Sequence, residues 1–194
     1  MNTDNYYIAN AHKYTTEKSE TFNVSMQEFY LFFEKYLHKN DNILDIGFGS
    51  GRDSLYFSSK YNVISIDVIP DFIQHGKEIG LKNVQLQRIE NIGYENMFNG
   101  IWACASLLHL CNQFLSKAID KIIVSSRKNC ILYTSFKYGD SEEIIKGRYF
   151  NNMNESKFYQ LFDRNEFEIL KIDITEDKLQ RKNKWLNAYI LITK

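Results

Sequence analysis

The stretch Ile43-Leu44-Asp45-Ile46-Gly47-Phe48-Gly49-Ser50-Gly51 combines an apolar run, one acid and three alternate glycines. An apolar run followed at once by glycines reads as a buried strand ending in a turn of bare backbone. In open sheets that alternate strand and helix, ligands sit beyond the carboxyl ends of the strands, where strand order reverses. Glycine there permits unusual backbone angles and leaves no Cβ between a ligand and the main chain. The stretch therefore constrains the chain to an α/β fold with a ligand at this turn.

The remaining pattern agrees. Ser25-Met26-Gln27-Glu28 matches a capping box, and Phe29, Phe32, Phe33, Tyr36 and Leu37 recur at helical spacing, which predicts a helix over about 25–39. Strands are predicted at 42–47, 62–67, 83–87, 100–108 and 130–136, with helices over 52–60, from Pro70 to about Gly80, and along Phe114, Leu115, Ala118, Ile119, Ile122 and Ile123. Asn154 is placed to cap a further helix, with Met153 and Phe158 as a hydrophobic staple. The apolar runs 167–175 and 185–193 are joined by nine residues, too few for a parallel crossover, so they are expected to pair as an antiparallel hairpin. The expected fold is one α/β domain over 24–194: a seven-stranded, mainly parallel, doubly wound sheet with that C-terminal hairpin and helices on both faces. Residues 1–23, polar with scattered tyrosines and no periodicity, are expected to form an arm or lid.

Charge and cysteine usage narrow the function. Lys plus Arg (24) equals Asp plus Glu (24), so no surplus drives binding to nucleic acid or to an acidic membrane surface, and neither partner is expected. With no secretion signal and no apolar run near the ~20 residues of a membrane-spanning helix, a cytoplasmic location is expected. Cys104, Cys111 and Cys130 are an odd count without C-x-x-C spacing; they read as buried free thiols, and no metal is expected.

Several acids flank the turn. Asp45, two residues before the first glycine, would repel a pyrophosphate but suits a cationic amino group, directly or through water. A dinucleotide fingerprint needs G-x-G-x-x-G; the register beginning at Gly49 puts Ser54 at the last position. Asp67, at the end of the second strand, is placed to accept from ribose hydroxyls or to cap the helix starting at Pro70. Glu90 lies where an adenine could be read through the backbone of Ile89 and Glu90, or is a solvated loop acid.

Taken together, LDIGFGSGRDS, VISID and IWACASLLHL resemble the class I S-adenosylmethionine-dependent methyltransferases. Within them the chain is similar to a small bacterial branch grouped with tellurite-resistance methyltransferases. NAHKYTTE, GRYFNNMNE and WLNAYIL extend the likeness over most of the length, and Phe48 departs from the cysteine usual after the first glycine. The resemblance implies a Rossmann-like sheet and S-adenosyl-L-methionine as cofactor. It places Asp45, Gly47, Gly49 and Gly51 at the methionine end, Asp67 at the ribose, and the backbone around Ile89 and Glu90 at the adenine, with Phe48 and Val68 also in the cofactor site. Ala105 and Ser106 would line the sulfonium, and Tyr14 would close over the cofactor.

Methyl transfer from a sulfonium is an in-line displacement that needs no acid, and a base only if the nucleophile must lose a proton. His109, three residues beyond Ser106, is the candidate base at its ordinary pKa of ~6.5, or a histidine that only holds a neighbour. Arg148 and Tyr149 would orient an anionic or carbonyl-bearing acceptor, or anchor the insertion before the last helix. Trp102 and Trp185 read as core aromatics. The chain has no N-P-P-Y or D-P-P-Y stretch, no Pro-Cys nucleophile and no paired-glutamate loop, which leaves a small molecule or a small metalloid oxyanion as acceptor, with a protein side chain or terminus as the outside alternative. Two other readings stay open: a non-catalytic cofactor-binding sensor or partner subunit, and, with less support, an NAD-dependent oxidoreductase.

Overall fold

A computed structural model describes residues 3–16 and 19–194; Met1, Asn2, Glu17 and Lys18 of the expected arm lie outside the described residues. The arm contains two helices, α1 (Thr3–Asn10) and α2 (Glu20–Asn23), and α3 (Gln27–Phe33) follows. The chain then alternates through β1 (Asn42–Ile46), α4 (Arg52–Ser58), β2 (Asn62–Asp67), α5 (Pro70–Glu78), β3 (Val84–Leu86), β4 (Phe98–Ala103), α6 (Asn112–Ser125) and β5 (Ser126–Lys137). A small hairpin of β6 (Glu142–Ile145) and β7 (Arg148–Asn151) and the helix α7 (Glu155–Leu161) lead to β8 (Phe167–Glu176) and β9 (Lys184–Ile192).

The main sheet runs β3-β2-β1-β4-β5-β9-β8. Only β9 is reversed: it pairs antiparallel with both β5 and β8, as the short connection requires. Strand order turns around between β1 and β4, so the glycine turn after β1 sits at the point where such sheets bind ligands.

Side-chain alternation along the strands builds the layers. Leu44 and Ile46 of β1 join Ile101, Leu132 and Ile190 on one face, under Leu115, Ile119 and Ile122 of α6 and Phe158 of α7. Ile43 joins Trp102, Tyr133 and Tyr189 on the other, under Phe29, Tyr30 and Phe33 of α3 and Phe57 of α4. Asn154 caps α7 as expected, its Oδ1 accepting the Lys157 N–H at 2.9 Å.

The structure departs from three local expectations and adds one element. The capping box does not form: Met26 holds the cap position of α3 without a side-chain bond, and burial of Met26 and Phe29 fixes the helix entry instead. That helix is shorter than 25–39, ending in a single 3-10 turn over Glu34–Tyr36. The fourth strand stops at Ala103; Ala105 takes φ +51°, and a 3-10 turn over Leu107–His109 follows. The added element is the β6–β7 hairpin, in which Lys146 and Gly147, with φ of +51° and +82°, form the two-residue turn with positive φ at both positions that favours a hairpin.

Candidate functional site

The carboxyl ends of β1, β2, β4 and β5 open onto one cleft of about 930 Å³, with α1 packed across it. That lies at the upper end of the range for small-molecule sites, about 300–1,000 Å³. Its walls follow strand order: Asp67 after β2, the glycine turn after β1, Ala105 and Ser106 after β4, and Ser135 and Lys137 on β5.

The turn is tied to its neighbours by backbone bonds. Gly47 N–H donates to Ile66 O at 2.8 Å, and Gly49 N–H donates to Asp67 Oδ2 at 3.0 Å. Gly47 has φ +70°, and a Cβ there would stand 2.6 Å from Ser106 Cβ, so the turn after β1 and the loop after β4 meet only because residue 47 is glycine. Over Gly49 the nearest such contact is a backbone oxygen at 3.9 Å, leaving open space against bare backbone.

Asp67 serves in both expected ways. Its Oδ1 accepts from Val68 N–H at 2.7 Å and Ile69 N–H at 3.0 Å, which caps the start of α5. With Gly49 on Oδ2, three of about four acceptor positions are used, which leaves the carboxylate capacity for one more donor, and Asp67 lines the cleft. Burial pushes its pKa up to about 6 against those three donors, so near neutral pH it remains an anion on the cleft wall. Val68, Ile89 and Glu90 line the same end, and Phe48 packs beneath with Phe72. Ser106 Oγ and Arg148 Nε are buried without a hydrogen-bond partner among the described residues, and both residues face this cleft. A buried polar atom without a partner asks for an explanation, and a ligand supplies one.

Asp45 departs from expectation. It lies under the turn rather than on the cleft wall, 2% exposed, and accepts from Ser54 Oγ at 2.6 Å, which in turn meets Ser65 Oγ at 2.6 Å. Burial and the neighbouring Asp53 raise its pKa to about 8, so at neutral pH it is mostly a neutral acid and not the counter-charge of an ammonium group. A group whose folded pKa is raised contributes stability below its ordinary pKa that is lost as pH rises through the folded value. The Asp45 contribution to stability is therefore expected to fall between about pH 4 and about 8, so that melting curves of wild type and Asp45→Asn diverge across that window. Parallel melting curves for the two proteins would return Asp45 to the ionised state. Gly51 also lies outside the cleft lining: it caps α4 at φ +82°, packed against Ile79.

His109 is held from both sides. Its Nδ1 lies 2.7 Å from Tyr149 O, which makes Nδ1 the protonated nitrogen, and Nε2 then accepts the Tyr7 hydroxyl at 2.9 Å. Burial lowers its pKa to about 4, so the ring is neutral and far weaker as a base than an exposed histidine. Tyr149 is corrected as a site residue: its hydroxyl turns away to Glu142 Oε2 at 2.6 Å, and only its carbonyl serves, by orienting His109. Arg148 and Phe150, one position to either side on β7, do line the cleft.

Other cleft residues went unread in the sequence. Tyr7 packs with Tyr14, Phe72 and His109, with ring centroids 5.4, 6.2 and 5.4 Å away, and no periodicity marked it. Arg52 and Asp53, directly after the last glycine, line the cleft and form an ion pair at 2.5 Å. Lys137 has only its position as a sequence signal, at the carboxyl end of β5. Trp102 is fully buried core as expected, but Trp185 borders the cleft. Of the cysteines Cys130 is buried, while Cys104 and Cys111 are half-buried on the cleft wall, and burial holds the Cys104 thiol up at about 12. No cluster of metal-ligating side chains occurs among the described residues, and no helix among them is long and apolar enough to cross a membrane.

No family model matches the chain, and no curated protein matches it. Solved structures do. The fold is similar to that of a Burkholderia thailandensis 1,6-didemethyltoxoflavin-N1-methyltransferase solved with S-adenosylhomocysteine and 1,6-didemethyltoxoflavin, at 16% identity, TM-score 0.79, covering 100% of this chain and 92% of that one. It is similar to the N-methyltransferase NodS of Bradyrhizobium japonicum in complex with S-adenosylhomocysteine, at 15% identity, TM-score 0.73, covering 98% and 100%. The cyclase SpnF shares it too, at 14% identity, TM-score 0.69, covering 86% and 80%. At such identities the likeness establishes the class I methyltransferase fold, which also carries other chemistry.

Proposed function

We propose that this chain, which has the class I methyltransferase fold, is an S-adenosylmethionine-dependent methyltransferase acting on a small-molecule acceptor. One observation carries the reading: the bare backbone of Gly47 and Gly49, the anionic Asp67 and the unpartnered Ser106 Oγ converge on a single cleft at the strand-order reversal. Two of the similar structures hold S-adenosylhomocysteine, the demethylated product of that cofactor. The residues present fit the group. Gly47 to Ser50 would receive the methionine end, Asp67 and Val68 the ribose, and Ile89 and Glu90 the adenine edge, with Ala105 and Ser106 beside the sulfonium and Tyr14 and Tyr7 of the arm as cover. Asp45 and Gly51 would act from below, by holding the turn. Ser54, at the last position of a dinucleotide fingerprint, is committed to Asp45 and Ser65, which weighs against NAD.

The bound cofactor supplies an electrophilic methyl on a leaving group that departs neutral. The chain's task is then to hold the acceptor in line and keep water out, which by itself supplies much of the rate. α1 across the cleft does the second. Neutral His109, with both nitrogens engaged, suits an acceptor whose nucleophilic atom needs no strong base. A metalloid oxyanion, as in the tellurite-resistance branch, is one acceptor to screen beside organic ones.

Calorimetric titration with S-adenosylmethionine, S-adenosylhomocysteine and NAD is the test. The two adenosyl compounds are expected to bind, and Asp67→Ala to weaken them by about 1–3 kcal/mol, the scale of a hydrogen bond to a charged group. NAD binding alone would make the protein an oxidoreductase, and unchanged affinity in Asp67→Ala would remove the ribose assignment.

A further inference from the structure

Beyond Ser106 the cleft continues along β5 toward Lys137, in a part that Gly47, Asp67 and Ser106 do not reach. Strand register fixes the direction. Thr134 pairs with Ala103, the last residue of β4, so Lys137 stands three residues, roughly 10 Å, further out along the sheet's carboxyl edge. This is the side from which an acceptor would approach a methyl group placed at Ser106.

Two cations meet there. Lys137 Nζ lies 3.7 Å from the centroid of the Phe150 ring, and Arg148 Cζ lies 5.1 Å from the same centroid while also standing 4.6 Å from that of Tyr6. Neither makes an ion pair among the described residues, although the chain has as many acids as bases. The two acids whose charges act on Lys137 have other partners: Asp177 pairs with Arg181 at 2.8 Å and accepts from Trp185 Nε1 at 3.0 Å, and Glu143 accepts from Asn152 Nδ2 at 2.8 Å. Arg148 Nε is buried with no partner. Burial, together with Arg148 and Arg181, holds the Lys137 ammonium below its ordinary pKa. Two like charges thus flank one aromatic ring, and although the Tyr7 side chain hydrogen-bonds the Arg148 guanidinium, Nε keeps a buried N–H with no protein acceptor among the described residues, a donor set suited to an anion.

We propose that the methyl acceptor is an organic anion, a small molecule bearing a carboxylate or phosphate group that Lys137 and Arg148 hold at the β5 end of the cleft. An organic molecule fits better than a bare inorganic oxyanion. The cleft's volume is at the upper end for small-molecule sites, and aromatic residues, Tyr133, Phe150 and Trp185, line it near this end. The proposal rests on the methyltransferase reading, and a paired titration separates their failures.

Protein is first titrated with S-adenosylhomocysteine, and the loaded protein then with benzoate, phenyl phosphate and the neutral benzamide. At least one anionic probe is expected to bind about tenfold or more tightly than benzamide, the scale of one charge-assisted hydrogen bond. Lys137→Met is expected to erase that preference and Lys137→Arg to keep it, with affinity for S-adenosylhomocysteine unchanged in both. The stronger of the two anions tells carboxylate from phosphate. Failure of S-adenosylhomocysteine to bind overturns the cofactor assignment and the acceptor proposal with it. Normal cofactor binding with anions no better than benzamide, or with a preference that survives Lys137→Met, overturns the acceptor proposal alone.

Discussion

Asp53→Ala is expected to destabilise the protein by about 3–5 kcal/mol, the usual result of removing one partner from a buried ion pair. Asp53 sits in the first turn of α4, buried at the cleft wall, and its carboxylate takes four donors. Arg52 reaches it through Nε at 2.5 Å and a second nitrogen at 2.8 Å, Trp102 Nε1 donates at 2.8 Å, and the Tyr30 hydroxyl donates as well. Burial alone would raise its pKa, yet Arg52 holds it below the ordinary carboxylate range. Without Asp53 the Arg52 guanidinium stays mostly buried with no counter-charge, and the Tyr30 and Trp102 donors lose their acceptor. The same guanidinium donates to Thr21 O at 2.9 Å, so the loss is also expected to loosen α2 of the arm. Urea denaturation measures the difference. Arg52→Met combined with Asp53→Leu is expected to cost less than Asp53→Ala, because it removes both charges, though more than nothing, because two donors remain unpaired. A single variant of near wild-type stability would show that the pair is solvated and carries little energy.

Gly47→Ala is expected to abolish measurable binding of S-adenosylhomocysteine while destabilising the fold by about 1–2 kcal/mol through left-handed backbone strain. Residue 47 has φ +70°, and its Cβ would press on Ser106 Cβ at 2.6 Å, where neither backbone can move without shifting the end of β1 or of β4. The cleft is formed by those two ends, so the relief of the clash displaces the surfaces that would receive the methionine end. Gly49→Ala supplies the control: its Cβ would meet nothing nearer than 3.9 Å, so only backbone strain and intrusion into the cofactor's space remain. Thermal melting with calorimetry separates the two effects. Wild-type affinity in Gly47→Ala would place the cofactor away from this turn.

Local pattern exposed much of this molecule in advance. The seven-stranded sheet, its single reversed strand and the cap at Asn154 each follow from residues close together in the chain. Side-chain period reports which face a residue turns to the core, and connection length reports whether two strands can run parallel. The capping box failed for the opposite reason: Ser25 and Glu28 match the motif, but burial of Met26 and Phe29 decides how the chain enters α3.

What the sequence determined by itself was the alternation of strands and helices and the glycine turn at the reversal of strand order, since both depend on spacing within one or two elements. Only the tertiary structure decided the state of the groups around that turn. Asp45 is a neutral acid because α4 and β2 enclose it, with Ser54 and Ser65 at hand. His109 has one tautomer because Tyr7 and Tyr149, 102 and 40 residues away, bind its two nitrogens. Lys137 and Arg148 converge because a hairpin folds back over the end of β5 and turns Tyr149 outward in passing. Protonation and convergence are set by burial and by neighbours distant in sequence, and local periodicity carries no record of either.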